Sequence, residues 1–227
     1  MLSIMCGRFV KTTDKDDLQS RFGFEDPVGV LLEPRYNIAP TQLHPVVIIE
    51  DDKRVLRMMK WGLVPHWAKD PAIGYKMINA RAEGIEDKPS FRTPFRKRRC
   101  LVIANGFYEW KKVEPKTKVP YLIRLKSGKP FAFAGLWEKW DKGPEPLETF
   151  TIITTENNEL IEPIHNRMPV ILHEKDESLW LDPELNDPEK LIPLLKPYPS
   201  EEMELYEVST IVNSPRNDVP ECILKKE

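Results

Sequence analysis

Cys6 follows Met5 in the segment Met5-Cys6-Gly7-Arg8-Phe9. A chain that begins at Cys6, through initiation at Met5 or removal of residues 1–5, carries a free α-amine and a thiol on adjacent carbons. Such an amine, with a reference pKa of about 7.7–8.0, is roughly a tenth to a fifth neutral at pH 7. It can add to an aldehyde to give a Schiff base, and the thiolate can then close a five-membered thiazolidine. An internal cysteine cannot do this, because its nitrogen is an amide. The alternative for Cys6 is a small apolar side chain buried on a first strand.

Two further residues suit proton transfer. Glu109 lies among aromatics in Phe107-Tyr108-Glu109-Trp110. Turned inward, its carboxyl would sit in an apolar setting that raises its pKa and suits it to general acid/base work. Turned outward, it is an ordinary exposed strand residue, and alternation alone leaves both readings open. His165 falls in Ile164-His165-Asn166-Arg167-Met168-Pro169, a proline-bounded loop of the kind that carries catalytic groups. His44, His66 and His173 have no metal-ligand spacing, so neither a metal nor a cofactor is expected. Cys6, Cys100 and Cys222 are too widely spaced for a disulfide framework or a zinc site, and they suit a reducing, cytosolic compartment. Packing accounts for Cys100 and Cys222.

The elements that must position these groups are short. The chain has 227 residues and 22 prolines, which imply many brief elements and ordered loops. Residues 6–10 read as a first strand. Asp14 offers a helix cap, with Leu18 and Phe22 four apart on a helix that ends at Gly23. Strands are expected at 46–49, 55–59, 100–104, 107–110, 150–154 and 208–213. Strands at 121–125 and 131–136 form a hairpin through Ser127-Gly128. Asn79 can cap a helical pattern running through Arg81 to Glu83, and a second helix is expected at about 155–162. Further helices are expected around 174–180 and 188–195. The whole reads as one α+β domain over residues 1–227, with a largely antiparallel, strongly bent sheet and short flanking helices.

The net charge of −2 excludes a whole-molecule basic field, so any nucleic-acid surface must be a local patch. Lys88, Arg92, Arg96, Lys97, Arg98 and Arg99 form a basic run with no acid, interleaved with Phe91 and Phe95. Such a run is a solvated face or a phosphate path. Trp61 to Trp67 is an aromatic, proline-stiffened segment that is either core or a stacking platform for bases. No apolar run approaches a membrane span, and without heptads a monomer is expected.

Taken together, these segments resemble the SOS-response-associated peptidase family of abasic-site-processing proteins. The matching blocks are Met5-Cys6-Gly7-Arg8, Arg35 to Pro40, Trp61-Gly62, Ile78 to Glu83, Gly106 to Trp110, Phe133 to Glu138, His165 to Pro169, and Val208-Ser209 with Val212-Asn213. Eight blocks in the family's order span nearly the whole chain. The resemblance implies a bent sheet opening into a positively charged cleft for single-stranded DNA that contains abasic sites. It places the nucleophile on Cys6, with Asn79, Glu109 and His165 as the other catalytic residues. Arg8 and Arg81 match positions near DNA phosphates, and Trp67 falls where the family sets an aromatic against the bases. Asn37, inside the second block, and Arg96, inside the basic run, complete the expected DNA-binding set. Ala68 replaces a second tryptophan found in some members. The leading Met1-Leu2-Ser3-Ile4 is also a departure, because the family's cysteine directly follows the initiator methionine. Two other functions use the same parts: a cysteine peptidase built on Cys6, His165 and Glu109 or Asn79, and a non-covalent single-stranded DNA-binding module.

Overall fold

The computed structural model describes residues 7–115 and 117–227, so Cys6 lies outside the described residues. Its strands are β1 (Phe9–Lys11), β2 (Arg35–Ile38), β3 (Leu43–Glu50), β4 (Lys53–Trp61), β5 (Asn79–Arg81), β6 (Arg99–Ala104), β7 (Gly106–Lys112), β8 (Lys118–Leu125), β9 (Phe131–Trp140), β10 (Leu147–Glu156), β11 (Arg167–Pro169), β12 (Ile171–Leu172) and β13 (Met203–Glu207). Four short helices accompany them: α1 (Lys15–Phe22), α2 (Arg92–Lys97), α3 (Glu177–Leu181) and α4 (Pro188–Leu191). The α+β, largely antiparallel and bent character expected from the sequence is present, with the strands shared between two sheets. The first sheet runs β13-β8-β7-β1-β2. In the second, β10 pairs with β9 and also, in parallel, with β4, so the ladder β4-β3-β6-β9-β10 returns on itself. Gly135 permits that closure. A Cβ there would lie 2.7 Å from both Cys100 Sγ and Val102 Cγ2.

Strand alternation gives the second sheet two apolar faces. The inner face (Val46, Met59, Trp61, Val102, Phe133, Phe150) meets Phe9, Ile38, Phe107 and Ile123 of the first sheet. The outer face (Val47, Leu56, Leu101, Ala134, Ile153) is covered by α1, α2 and α3 through Leu18, Phe22, Phe95 and Trp180. Phe9 stands at the middle of the inner layer, with its ring edge-on to His44 at 4.6 Å, Trp61 at 5.0 Å and Phe133 at 5.8 Å.

Helix α1 forms as its sequence requires. Asp14 accepts from Asp17 N, and Gly23 ends the helix in the left-handed conformation at φ 64°. Four local expectations are corrected by long-range pairing. Residues 79–81 are a strand instead of a capped helix, because Ile152 N donates to Ile78 O and Ala82 N to Thr154 O. Strands β8 and β9 are not a hairpin. The chain turns at Ser127-Gly128 and crosses between sheets, β8 pairing with β7 and β13 and β9 with β6, β10 and β12. The helix expected at about 155–162 is absent: Thr155 and Glu156 finish β10 and residues 159–164 are turns, pinned by Asn158, whose Oδ1 accepts from Ile161 N and whose Nδ2 donates to Tyr198 O. The last strand is Met203–Glu207, and Thr210–Asn213 is a 3₁₀ turn. Among the described residues no helix is long and apolar enough to cross a membrane.

His44 is buried in the inner layer, and its Nε2–H donates to Ile103 O at 2.8 Å. Burial pulls its pKa down to about 3, with Lys11 and Arg35 adding to the effect. The unfolded chain, with a histidine pKa near 6.5, therefore takes up a proton that the native state refuses. Stability falls as pH drops from about 6.5 toward 3, by roughly 2 kcal/mol at pH 5 for this residue alone. Urea midpoints measured between pH 7 and 5 should show this slope, and His44→Gln should flatten it.

Candidate active site and nucleic-acid interface

Antiparallel register builds the first part of the site. Phe9 pairs with Phe107 and Val10 with Gly106, and Tyr108 N donates to Arg8 O at 3.0 Å. Continued by two residues, this register brings Gly7 opposite Glu109. Glu109 shares the face of Phe107 on β7, the face that looks into the inner layer, and it is 3% exposed. The inward alternative left open by the sequence is the one the fold adopts. The reason is that Tyr108 is claimed on the opposite face by Leu122, Val208 and Val212, which leaves Phe107 and Glu109 to the inner one.

Asn79 enters from the second sheet. It pairs in parallel with Ile152, an inner-face residue, while its neighbour Ala80 pairs with Ile153 on the outer face. Asn79 and Glu109 therefore project from opposed sheets into one layer. The segment 157–166 closes this end through Ile161, a member of the same apolar cluster. It carries His165, whose carbonyl accepts from Asn157 Nδ2 at 3.0 Å. His165 Nδ1 accepts from the Arg167 backbone N–H at 3.2 Å, so a neutral ring keeps its proton on Nε2. Burial lowers the pKa of His165, and the nearby cations Lys118 and Arg167 lower it further. The ring is therefore neutral at pH 7.

The expected DNA-binding residues divide. Arg81 is exposed and pairs with Thr154, two residues along β5 from Asn79. Trp67 is 44% exposed on a fixed bracket, because its own carbonyl accepts from Lys142 Nζ and Ala68 beneath it accepts from Trp140 Nε1. Arg8 is half-buried on the other face of the first sheet, donating to Asn37 Oδ1 at 2.7 Å, Val212 O at 2.9 Å and Asn213 O at 3.2 Å. Asn37 is fully buried, with Nδ2 donating to the carbonyls of Val212, Ser214 and Asn217. Its amide is engaged at both ends, so its work in the fold is to hold Arg8 and residues 212–217 together. Arg96 rides on α2, which packs on the outer face of the second sheet, away from the layer that Asn79 and Glu109 enter. The basic run is not one surface either. Arg99 is buried and donates to the carbonyls of Phe95, Arg96, Trp180, Asp182 and Leu185, and Arg98 pairs with Glu138 at 2.7 Å.

Arg167 was missed in the sequence. Its side chain is paired with Glu83 and donates to Thr154 O, while its backbone N–H sets the His165 tautomer. Its position two residues after a candidate histidine was the available signal. Cys100 and Cys222 are buried, and desolvation pushes both thiols up, which leaves neither suited to nucleophilic work at pH 7.

Comparison with known proteins gives this geometry its context. Residues 5–215 match the family described as SOS response associated peptidase (SRAP). The chain belongs to the SRAP family. Abasic site processing protein YoqW of Bacillus subtilis is 52% identical over 96% of this chain and 99% of its own length. Abasic site processing protein HMCES of Gallus gallus is 33% identical over 98% of this chain and 78% of its own. A solved Bacteroides thetaiotaomicron protein, 31% identical, superposes with a TM-score of 0.88, covering 98% of this chain and all of its own. This SRAP chain therefore shares its fold, over nearly its whole length, with that solved protein.

The Asn37 clip yields a structural prediction. Asn37→Ala removes three donated bonds and the acceptor for Arg8, and leaves buried carbonyls without a donor. It should lower unfolding stability by about 2–4 kcal/mol in urea titration. Asn37→Asp, which cannot donate, should not rescue it.

Proposed function

We propose that this protein captures abasic sites in single-stranded DNA as a covalent thiazolidine through the amine and thiol of Cys6. Family membership and relatives named abasic site processing protein support the reading. The observation that carries it is that Glu109 and Asn79 project from opposed sheets into the layer closed by the His165 segment, at the end where β1 begins.

In this reading the Cys6 amine first becomes free by hydrolysis of the Met5–Cys6 bond, either as removal of an initiator Met5 or as removal of residues 1–5. It adds to the C1′ aldehyde of the ring-opened sugar to form a carbinolamine. Glu109 moves the protons that convert the carbinolamine to an imine and one water, a contribution of about 10²–10⁴ in rate. The Cys6 thiolate then adds to the imine carbon, the nitrogen takes a proton, and the ring closes. His165 offers its Nε2–H to the sugar ring oxygen, and Asn79 holds the sugar or the attacking amine by hydrogen bonds. When closure lags, β-elimination from the imine cleaves the strand as a side reaction. Arg81 holds a phosphate and Trp67 stacks a base, each stacking contact being worth about 1–3 kcal/mol. A missing base leaves no pairing edge to read, so sequence preference is slight.

Intact-mass spectrometry of the protein, before and after mixing with an oligonucleotide carrying one abasic site, tests this directly. The expected result is a chain starting at Cys6 that gains one oligonucleotide, stable to denaturation and absent in Cys6→Ala. A chain that starts at Cys6 and forms no adduct overturns the covalent mechanism. Glu109→Gln should slow single-turnover crosslinking by about 10²–10³-fold while leaving binding of the oligonucleotide within about threefold. Because the pKa of His165 lies below the ordinary value of 6.5, its neutral form persists as pH falls past that point. Protonation of the Cys6 amine gives the crosslinking rate one acid limb at about pH 8, and protonation of His165 should add a second below pH 6.5, which His165→Gln should remove while leaving the first.

A further inference from the structure

The inner layer has a second end, and it is not apolar. Strand β1 leaves the middle of the layer at Phe9 and delivers Lys11, which is 1% exposed and paired in register with Arg35 on β2. Lys11 Nζ donates to Glu33 O at 2.6 Å, and no carboxylate lies within ion-pair distance of it among the described residues. Arg35, by contrast, is matched by Asp218 and Gln42. A buried ammonium held by one neutral carbonyl is poorly compensated, since burial removes the water that would otherwise solvate its other two N–H groups. Lys11 and His44 line a cavity of about 250 Å³ together with Leu31, Glu33, Leu43 and Met58. Its mouth is apolar: Leu31 is 80% exposed and Leu43 57%.

We propose that this cavity is a binding site for a small organic monocarboxylate, whose carboxylate meets Lys11 and whose short apolar tail lies between Leu31, Leu43 and Met58. Its volume corresponds to about eight water molecules and so to a ligand of about eight non-hydrogen atoms. The charges facing Lys11 are Arg35 on β2, Asp14 before α1 and Glu33 in the loop preceding β2, with neutral His44 on β3. Glu33 is exposed on the rim and repels polyanions, so a nucleic-acid phosphate chain is disfavoured there. Desolvation and Arg35 draw the pKa of Lys11 down to about 8, so the ammonium form prevails at pH 7 and is lost above pH 8. The site stands apart from Asn79, Glu109 and His165, and it does not depend on the abasic-site reading.

The test uses the full chain with sodium hexanoate as the probe and sodium chloride and hexanol as controls at matched ionic strength. Saturable shifts in the backbone amide NMR signals of Lys11, Leu43 and His44 with hexanoate are expected. A thermal midpoint several degrees higher at about fifty times the Kd is also expected. Affinity should fall at least ~tenfold in Lys11→Met and also on going from pH 7 to pH 9. Leu43→Glu, at an exposed position that leaves the core intact, should weaken binding as well, so the proposal survives a Lys11 variant that fails to fold. An equal response to hexanol and hexanoate, an equal response to chloride, or no saturable shift with hexanoate overturns the assignment.

Discussion

The contact on which the rest of this structure depends is the packing of Phe9 between the two sheets. Strand β1 has three residues, yet it pairs with β7 on one side and β2 on the other, and its central layer is assembled around one aromatic ring. His44, Trp61 and Phe133 meet that ring edge-on, the arrangement that aromatic quadrupoles favour. With Phe9 fixed, the chain on either side of it is committed. Gly7 comes beside Glu109 at one end of the layer, and Lys11 is carried to the other.

The layer is therefore apolar in the middle and polar at both ends. Side chains that would be costly to bury alone are placed where backbone groups or each other's dipoles meet them. Burial keeps His44 and His165 neutral, while Ile103 O and Arg167 N engage one nitrogen of each ring, and Asn37 binds residues 212–217 to Arg8. The same economy explains Arg99. A cation that reads in sequence as part of a solvated or DNA-facing run is consumed by five carbonyls, tying β6 and α2 to the segment around Trp180.

Rigid support at this site follows from the closure of the second sheet. Strand β10 pairs with β4, β5, β9 and β11, so Asn79 is held by a strand that is itself held on every side. Gly62 belongs to the same frame. At φ 124° it passes within 2.7 Å, measured from an added Cβ, of Gly74 O, and this close crossing sets the path of the segment that bears Trp67. A side chain at either glycine would push that segment off the sheet.

Much of the fold class and the chemistry was legible in the chain alone. Alternation and turn residues announced an α+β domain with antiparallel strands, and Asp14 and Gly23 marked the ends of α1 because caps act over a few residues. Block order identified the family. Residue type singled out Cys6, Glu109 and His165, because thiol, carboxyl and imidazole chemistry belongs to the residues themselves. What the sequence could not determine is which way a side chain faces when both faces of its strand are covered. Glu109 turns inward because Tyr108 is claimed by the packing of Val208 and Val212, about a hundred residues away. Asn79 begins a strand instead of a helix because Thr154 and Ile152 supply its neighbours' hydrogen bonds. Arg8 and Asn37 spend their polar groups on residues 212–217, a pairing across more than 170 positions. Local propensity is weaker than a completed ladder or a satisfied buried amide, and those depend on partners that only the tertiary fold brings within reach.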